Sequence, residues 1–217
     1  MLSFVTLLAL SSATALAASL SVRAAAPKYS IEWSNCTDIN LPNLQCRTMQ
    51  VPLDWSEPGS AKISLFKTKI IATSTAKGSG NKIGSLLWNP GGPGVTASIT
   101  CQLTAAGQIE YFSPALYEYF DIVCPNPRGV GQSTPVKCDP AISNKMPQLF
   151  VDDVASFQRL AAWNRVFSNR CLSMTGKLLR HVDTTSAAHD LEAIRLALNQ
   201  GKMNWFGNLY SSQLGVA

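Results

Sequence analysis

Three short apolar runs each end in a loop rich in glycine, proline or asparagine, and this recurrence constrains the chain more than any other feature. IGSLLWN (83–89) runs into PGGPG, YFDIVC (119–124) into PNPRGVGQSTP, and MNWFG (203–207) into NLYSSQLG. Continuous apolar runs of this length are the mark of strands buried on both faces, as in a parallel sheet. The loops that follow carry the residues of tight turns and close backbone approach.

The segments between these runs alternate with them as helices would. Thr96 to Ala106 is compatible with a helix. Residues 153–171 read as a second, with Val154, Phe157, Leu160, Ala161 and Val166 as its apolar face. TTSAAHDLEAIRLALNQG (184–201) is a third, with Ala187, Leu191, Ile194 and Leu198 in one stripe and Gly201 past its end. CRTMQVPLDW (46–55) and KISLFKTKIIATS (62–74) read as two earlier strands, the first interrupted by Pro52. Strands joined by helices imply an α/β fold with a mainly parallel sheet. Ligands in such sheets bind at the carboxyl ends of the strands, where NPGGPG, PNPRGVG and GNLYSS would gather.

Each loop has its own chemistry. In NPGGPG, Gly91 and Gly92 can turn backbone N–H groups toward a ligand, as an oxyanion loop does. The Gly-Lys-Ser/Thr ending of a phosphate loop is missing. RGVGQS starts like a dinucleotide fingerprint, yet Thr134 stands where the third glycine belongs. GNLYSSQLG has the frame of a G-x-S-x-G elbow, in which serine sits on a strained strand-to-helix turn. Here Gly207 holds the first glycine position, Leu209 the serine position and Ser211 the second glycine position. Leucine has no nucleophilic atom, so covalent catalysis through this position is excluded. Ser211 and Ser212 lack the flanking glycines that a relocated elbow needs. Tyr210 to Ala217 contain no Asp, Glu or His. His189 lies within the third helix and His181 in the loop before it, and neither is a sound base.

The N-terminus reads as a leader. FVTLLAL (4–10) is followed by small residues, and Ala15-Leu16-Ala17 fits an A-x-A cleavage site, placing the signal at residues 1–18 with cleavage near Ala17/Ala18. Secretion makes the six cysteines candidates for disulfides. Cys36 and Cys46, ten apart, suit a local staple. Cys138 and Cys171 would close a later loop, leaving Cys101 and Cys124. Six cysteines permit fifteen pairings, and spacing does not choose among them. Asn35-Cys36-Thr37 is an N-glycosylation acceptor. No C-x-x-C or suitably spaced histidine suggests a metal, and no cofactor motif is complete. The net charge of +5 comes from scattered lysines and arginines, Lys62, Lys67 and Lys69 among them, which read as solvated faces. No basic patch suggests nucleic acid, and no segment is long enough to span a membrane.

The order of these motifs resembles the secreted α/β-hydrolases of the tripeptidyl aminopeptidase and proline iminopeptidase-like serine peptidase family. The resemblance runs from about Trp33 to the C-terminus. It rests on VPLDWSEP, GSLLWNPGGPG, FDIVCPNPRGVGQSTPVKC, DTTSAAHDLEAIRLAL and NWFGNLYSSQLG, in that order. It implies the N-terminal half of an α/β-hydrolase fold over residues 46–217, truncated just after the elbow. An irregular, partly disulfide-stapled segment (19–45) would precede it. The resemblance also implies Gly91 and Gly92 at the oxyanion loop and bridges Cys36–Cys46 and Cys138–Cys171, with Cys101 and Cys124 as extras. Cys124 stands where the family usually has glycine, Asn126 where it has aspartate, and Leu209 and Ser211 where it has serine and glycine.

The family's chemistry is serine attack on a peptide carbonyl. Its members continue through later strands, a cap that reads the peptide N-terminus, and the acid and histidine. The sequence is therefore read as a secreted, truncated or catalytically dead copy. A secreted non-catalytic peptide-binding protein and an incomplete reading of a larger peptidase are the alternatives. The strand at 203–206, central in a complete sheet, would be an open edge here and a route to self-association.

Overall fold

The computed structural model describes residues 29–78 and 80–217. The leader lies outside the described residues. One six-stranded sheet organises the chain. β1 (Ser34–Asn35), β2 (Leu44–Pro52), β3 (Lys62–Ile70), β4 (Gly84–Asn89), β5 (Phe120–Pro125) and β6 (Asn204–Gly207) lie in the order β1-β2-β3-β5-β4-β6. The sheet is mixed. The expected parallel pairing holds for β5-β4-β6, while β1, β2 and β3 are antiparallel to their neighbours, β3 to β5 included. β2 and β3 are joined by a short turn, which permits only antiparallel pairing, whereas the parallel strands are linked by helical crossovers. β2 begins at Leu44, and Tyr29, Ile31 and Trp33 pack against the core, so residues 29–45 belong to the same body.

α2 (Ala97–Ala105) covers one face of the sheet and α6 (Thr184–Ala197) the other. Alternation along the strands feeds both. Leu86, Trp88, Ile122 and Cys124 face α2, with Phe112 beside them. Leu87, Val123, Leu65 and Ile63 face α6, which presents Ala187, Leu191 and Ile194. Each large side chain buried in this way contributes about 1.5–3 kcal/mol. α6 starts at Asp183, whose carboxylate accepts the Ser186 N–H at 2.8 Å. It stops at Leu198, where Asn199 turns left-handed (φ 55°). The stop expected at Gly201 is made two residues earlier, because asparagine tolerates this conformation.

Short helices α1 (Thr73–Ala76), α3 (Pro114–Tyr119) and α4 (Pro140–Ser143) fill the connections, and α7 (Tyr210–Leu214) follows β6. α5 (Val154–Thr175) is the longest helix among the described residues, and only Ser156 and Cys171 of it are buried. Its apolar face is not the expected one. Val154, Phe157 and Val166 are exposed, and the inward stripe is Ser156, Leu160, Trp163, Phe167 and Cys171. Trp163 stacks on Phe167 at 4.8 Å and donates its indole N–H to the Ile142 carbonyl at 3.0 Å. A 3₁₀ turn (Gly176–His181) links α5 to α6. Three disulfides close: Cys36–Cys46 between β1 and β2, Cys138–Cys171 at the end of α5, and Cys101–Cys124, which ties α2 to β5.

Among the described residues four charged side chains are buried, Lys67, Asp121, Arg128 and Asp190, and two of them shape the argument most. Lys67, read as part of a solvated face, is fully buried in β3. The strand alternation that places Ile63 and Leu65 inward carries Lys67 inward with them. The other is Arg128, which meets Asp190 of α6 beneath the loop after β5. Its Nε donates to Asp190 Oδ2 at 2.7 Å and its Nη2 to Asp190 Oδ1 at 2.6 Å. Its remaining N–H groups reach the carbonyls of Pro52, Leu53 and His181. Trp55 donates to the same carboxylate at 3.0 Å. Burial holds the Asp190 carboxyl above its ordinary value, with the Arg128 guanidinium opposing the shift.

Removing one partner strands the other charge. Arg128→Ala is expected to cost about 3–5 kcal/mol in denaturant unfolding, far more than an exposed arginine would. Lys67 gives a pH signature. Burial pushes its amine down from 10.5 to about 7, with Arg47 acting in the same direction. Between those values the unfolded chain holds a proton that the fold does not, so stability rises as the pH rises from about 7 to about 10.5. Lys67→Met is expected to flatten this rise and to stabilise the chain at neutral pH, read from unfolding curves across that range.

Candidate active site

The carboxyl ends of β4, β5 and β6 open on one cleft of about 380 Å³. Its walls come from the three glycine-rich loops, with Asn89, Gly91, Arg128, Gly131, Tyr210 and Leu214 among the lining residues. Val182 and Ala187 close the side toward α6.

The turn after β6 has elbow geometry. Leu209 sits between strand and helix at φ 52°, ψ −124°, a conformation that costs a non-glycine residue about 1–3 kcal/mol. The residue is 78% exposed. The surroundings leave little alternative. A Cβ on Gly207 would stand 2.6 Å from Ser211 Cβ, and one on Gly215 would stand 2.5 Å from Trp205 Nε1. Trp205 donates that N–H to the Ser211 carbonyl at 3.1 Å, tying strand to helix. The Ser211 hydroxyl is buried and donates to Asn89 Oδ1.

The NPGGPG loop lies directly over this turn. A Cβ on Gly91 would fall 2.4 Å from the Asn208 carbonyl oxygen and 3.1 Å from Tyr210 N, at φ +92°. The Gly91 N–H itself donates to Asn89 Oδ1 at 2.9 Å. Asn89 therefore accepts from both the loop and the elbow. Gly92 lies at φ +112° and precedes a cis proline, Pro93. The elbow is also held from its flanks. The Asn208 side-chain amide donates to the Tyr111 hydroxyl at 2.8 Å, and the Tyr210 hydroxyl lies 2.8 Å from Thr184 Oγ1.

The loop after β5 is sewn onto β3 and is not free to wrap a dinucleotide. Thr134 Oγ1 accepts the Ser64 N–H at 2.8 Å, and Ser133 Oγ accepts the Phe66 N–H at 2.9 Å. Asn126 is buried and serves α2. Its Oδ1 accepts the Ser98 N–H at 2.9 Å, and its Nδ2 donates to Gln132 Oε1 at 3.0 Å. α2 has no side-chain cap of its own, so Asn126 supplies one from a distant loop.

The structure brings Gly91, Gly92, Leu209 and Tyr210 together, and it leaves both histidines to other tasks. His189 is exposed and packs its ring on Trp55 at 5.5 Å. His181 gives its carbonyl to Arg128. Asn89 escaped the sequence reading, and Asn126 was noted only as a departure from the family, because an asparagine at a strand end carries no periodic signal. Among the described residues, no cluster of His, Cys, Asp and Glu could hold a metal ion.

A family model described as the alpha/beta hydrolase fold matches residues 84–208. The chain is 32% identical over 202 residues to a tripeptidyl aminopeptidase of Streptomyces coelicolor. It is 32% identical over 210 residues to the serine protease Hip1 of Mycobacterium tuberculosis. It is 30% identical over 184 residues to a carboxylesterase B, also of Mycobacterium tuberculosis. These alignments cover 89%, 90% and 79% of this chain but 36%, 38% and 33% of the relatives. The chain thus spans little more than a third of the length of the curated relatives it matches.

The strain at Leu209 is measurable. Leu209→Gly removes an exposed side chain and admits the observed backbone angles freely. Relief of about 1–3 kcal/mol outweighs a glycine entropy cost of about 0.5–1 kcal/mol. The variant is expected to be more stable than the parent in urea, by about 1 kcal/mol.

Proposed function

Because the chain belongs to the α/β-hydrolase fold family, we propose that it is a secreted, catalytically silent member whose cleft holds a peptide without cutting it. The carrying observation is Leu209 in the backbone conformation of a nucleophile elbow. The turn is built, and the atom that would attack is absent. Whatever lies beyond Ala217, serine chemistry through this position is barred.

The peptide assignment is supported by the names of two relatives, a tripeptidyl aminopeptidase and a serine protease. In this chain the Tyr210 N–H opens α7 beside Gly91, where a backbone donor can meet a carbonyl or carboxylate oxygen. The Leu209 side chain adds an apolar contact where a reacting carbonyl would otherwise sit. Secretion is supported by the leader-like N-terminus and the three disulfides. No described helix is long and apolar enough to cross a membrane. A secretory route also exposes the Asn35 acceptor to carbohydrate transfer. Self-association belongs to the same proposal, because β6 is an edge strand with neither charge nor proline to guard it.

Equilibrium dialysis of the purified chain against a mixed tripeptide library, followed by mass analysis, tests this. Retention of intact peptides, abolished by Leu209→Arg, is the expected result. Cleaved peptides, or covalent labelling by a fluorophosphonate, would refute the silent-scaffold reading.

A further inference from the structure

The sequence places a carbohydrate acceptor and a disulfide on the same three residues, and the structure sets the terms on which they coexist. We propose that glycan transfer to Asn35 competes with closure of the Cys36–Cys46 bridge, so that the order of these two events fixes how much of the chain carries a glycan at the β1 edge. This rests on the secretory reading above.

The argument begins with what the folded chain tolerates. Asn35 and Thr37 are both exposed. β1 is the outermost strand of the sheet, paired on one side only, to β2. A glycan at Asn35 therefore meets no neighbour in the fold. It would also screen the unpaired edge of β1 from other strands. The finished structure accommodates modified and unmodified chains alike, and occupancy must be decided before folding is complete.

The bridge is what decides it. An Asn-X-Thr acceptor is read with the Thr hydroxyl brought back toward the Asn amide, which requires a bent, mobile chain. Once Cys36 is joined to Cys46, Ser34 pairs with Cys46 and Asn35 with Gln45, which holds the backbone extended. Thr37 Oγ1 then donates to Asp38 Oδ1 at 3.3 Å. The bridge closes a loop of only ten residues. Such loops close on a timescale of nanoseconds to microseconds before the slower oxidation step, so the two thiols are already together when oxidant arrives. The residue between acceptor and hydroxyl is the bridging cysteine itself, so bridging cannot proceed without constraining the acceptor.

The test is site occupancy in a eukaryotic secretory cell, read as the mass lost on treatment with peptide N-glycosidase, over all chain in cells and medium. The parent chain is expected to be a mixture. Cys46→Ser leaves the acceptor intact and removes its competitor, and occupancy should rise to near completion. Dithiothreitol added during synthesis should raise occupancy in the parent chain too, with no substitution and no dependence on how well Cys46→Ser folds. Thr37→Ala should abolish the mass shift in every condition. Occupancy unchanged by both Cys46→Ser and reductant overturns the competition, as does a fully occupied or wholly unoccupied parent that does not respond. Retention of the chain inside the cell with free thiols overturns the secretory reading itself, and the proposal with it.

Discussion

The buried pair of Arg128 and Asp190 sets the relation between the cleft and the rest of the molecule. A guanidinium has five N–H donors, and all five find acceptors here. Two meet Asp190 on α6, two meet the end of β2 and the residue after it, and one meets His181 at the end of the 3₁₀ turn. Three segments, α6, the end of β2 and the 3₁₀ turn, are thereby fixed to the loop that follows β5, which makes the fourth. Such a pair is poor evidence of net stabilisation, since well-packed apolar residues can do as well. Its value is directional: only one arrangement of the four segments satisfies all five donors. The loop that forms one wall of the cleft takes its position from this arrangement.

From that anchored wall the constraint passes to the elbow. The α6 helix that carries Asp190 also carries Thr184, whose hydroxyl meets Tyr210. Asn89 joins the NPGGPG loop to Ser211, and Trp205 joins β6 to α7. A strained backbone persists only where its surroundings over-determine it. Leu209 has three such supports and contributes none of them, because its own side chain lies mostly in solvent. The strain is a property of the frame around position 209, not of the residue there.

Much of this frame was legible in the sequence, for reasons that also mark where legibility ends. The strands from 84 and 120 announce themselves because both faces are buried, so almost every residue is apolar. The α6 stripe is legible because its period and its buried face coincide. α5 shows the opposite case. It has two partial apolar stripes, and periodicity cannot tell which one meets the protein. The stripe that packs, through Trp163 and Phe167, rests on the short α4 region that had no signal of its own. Lys67 was misread because charge was weighed above position, although alternation with Ile63 and Leu65 points it inward. The roles of Asn126 and Asn89 were invisible because they depend on partners brought close only by the sheet. The pairing of Cys101 with Cys124 likewise needed α2 to be laid across β5.

Three of the positions at which the family resemblance implies another residue are integrated into the packing. Asn126, in place of aspartate, both accepts from Ser98 and donates to Gln132. An ionised carboxylate could do only the first. Ser211, in place of glycine, fills the space above Gly207 and gives its hydroxyl to Asn89. Cys124, in place of glycine, is bridged to Cys101 in the core. A chain released from constraint would leave such substitutions as buried polar atoms without partners, each costing about 1–3 kcal/mol. The orphaned side-chain atoms among the described residues, Trp88 Nε1 and Tyr29 Oη for instance, lie at none of these positions. Leu209 is the one departure with no structural partner, and it stands where the reactive atom would be. The packing around position 209 is therefore complete, although the residue it holds has no nucleophilic atom.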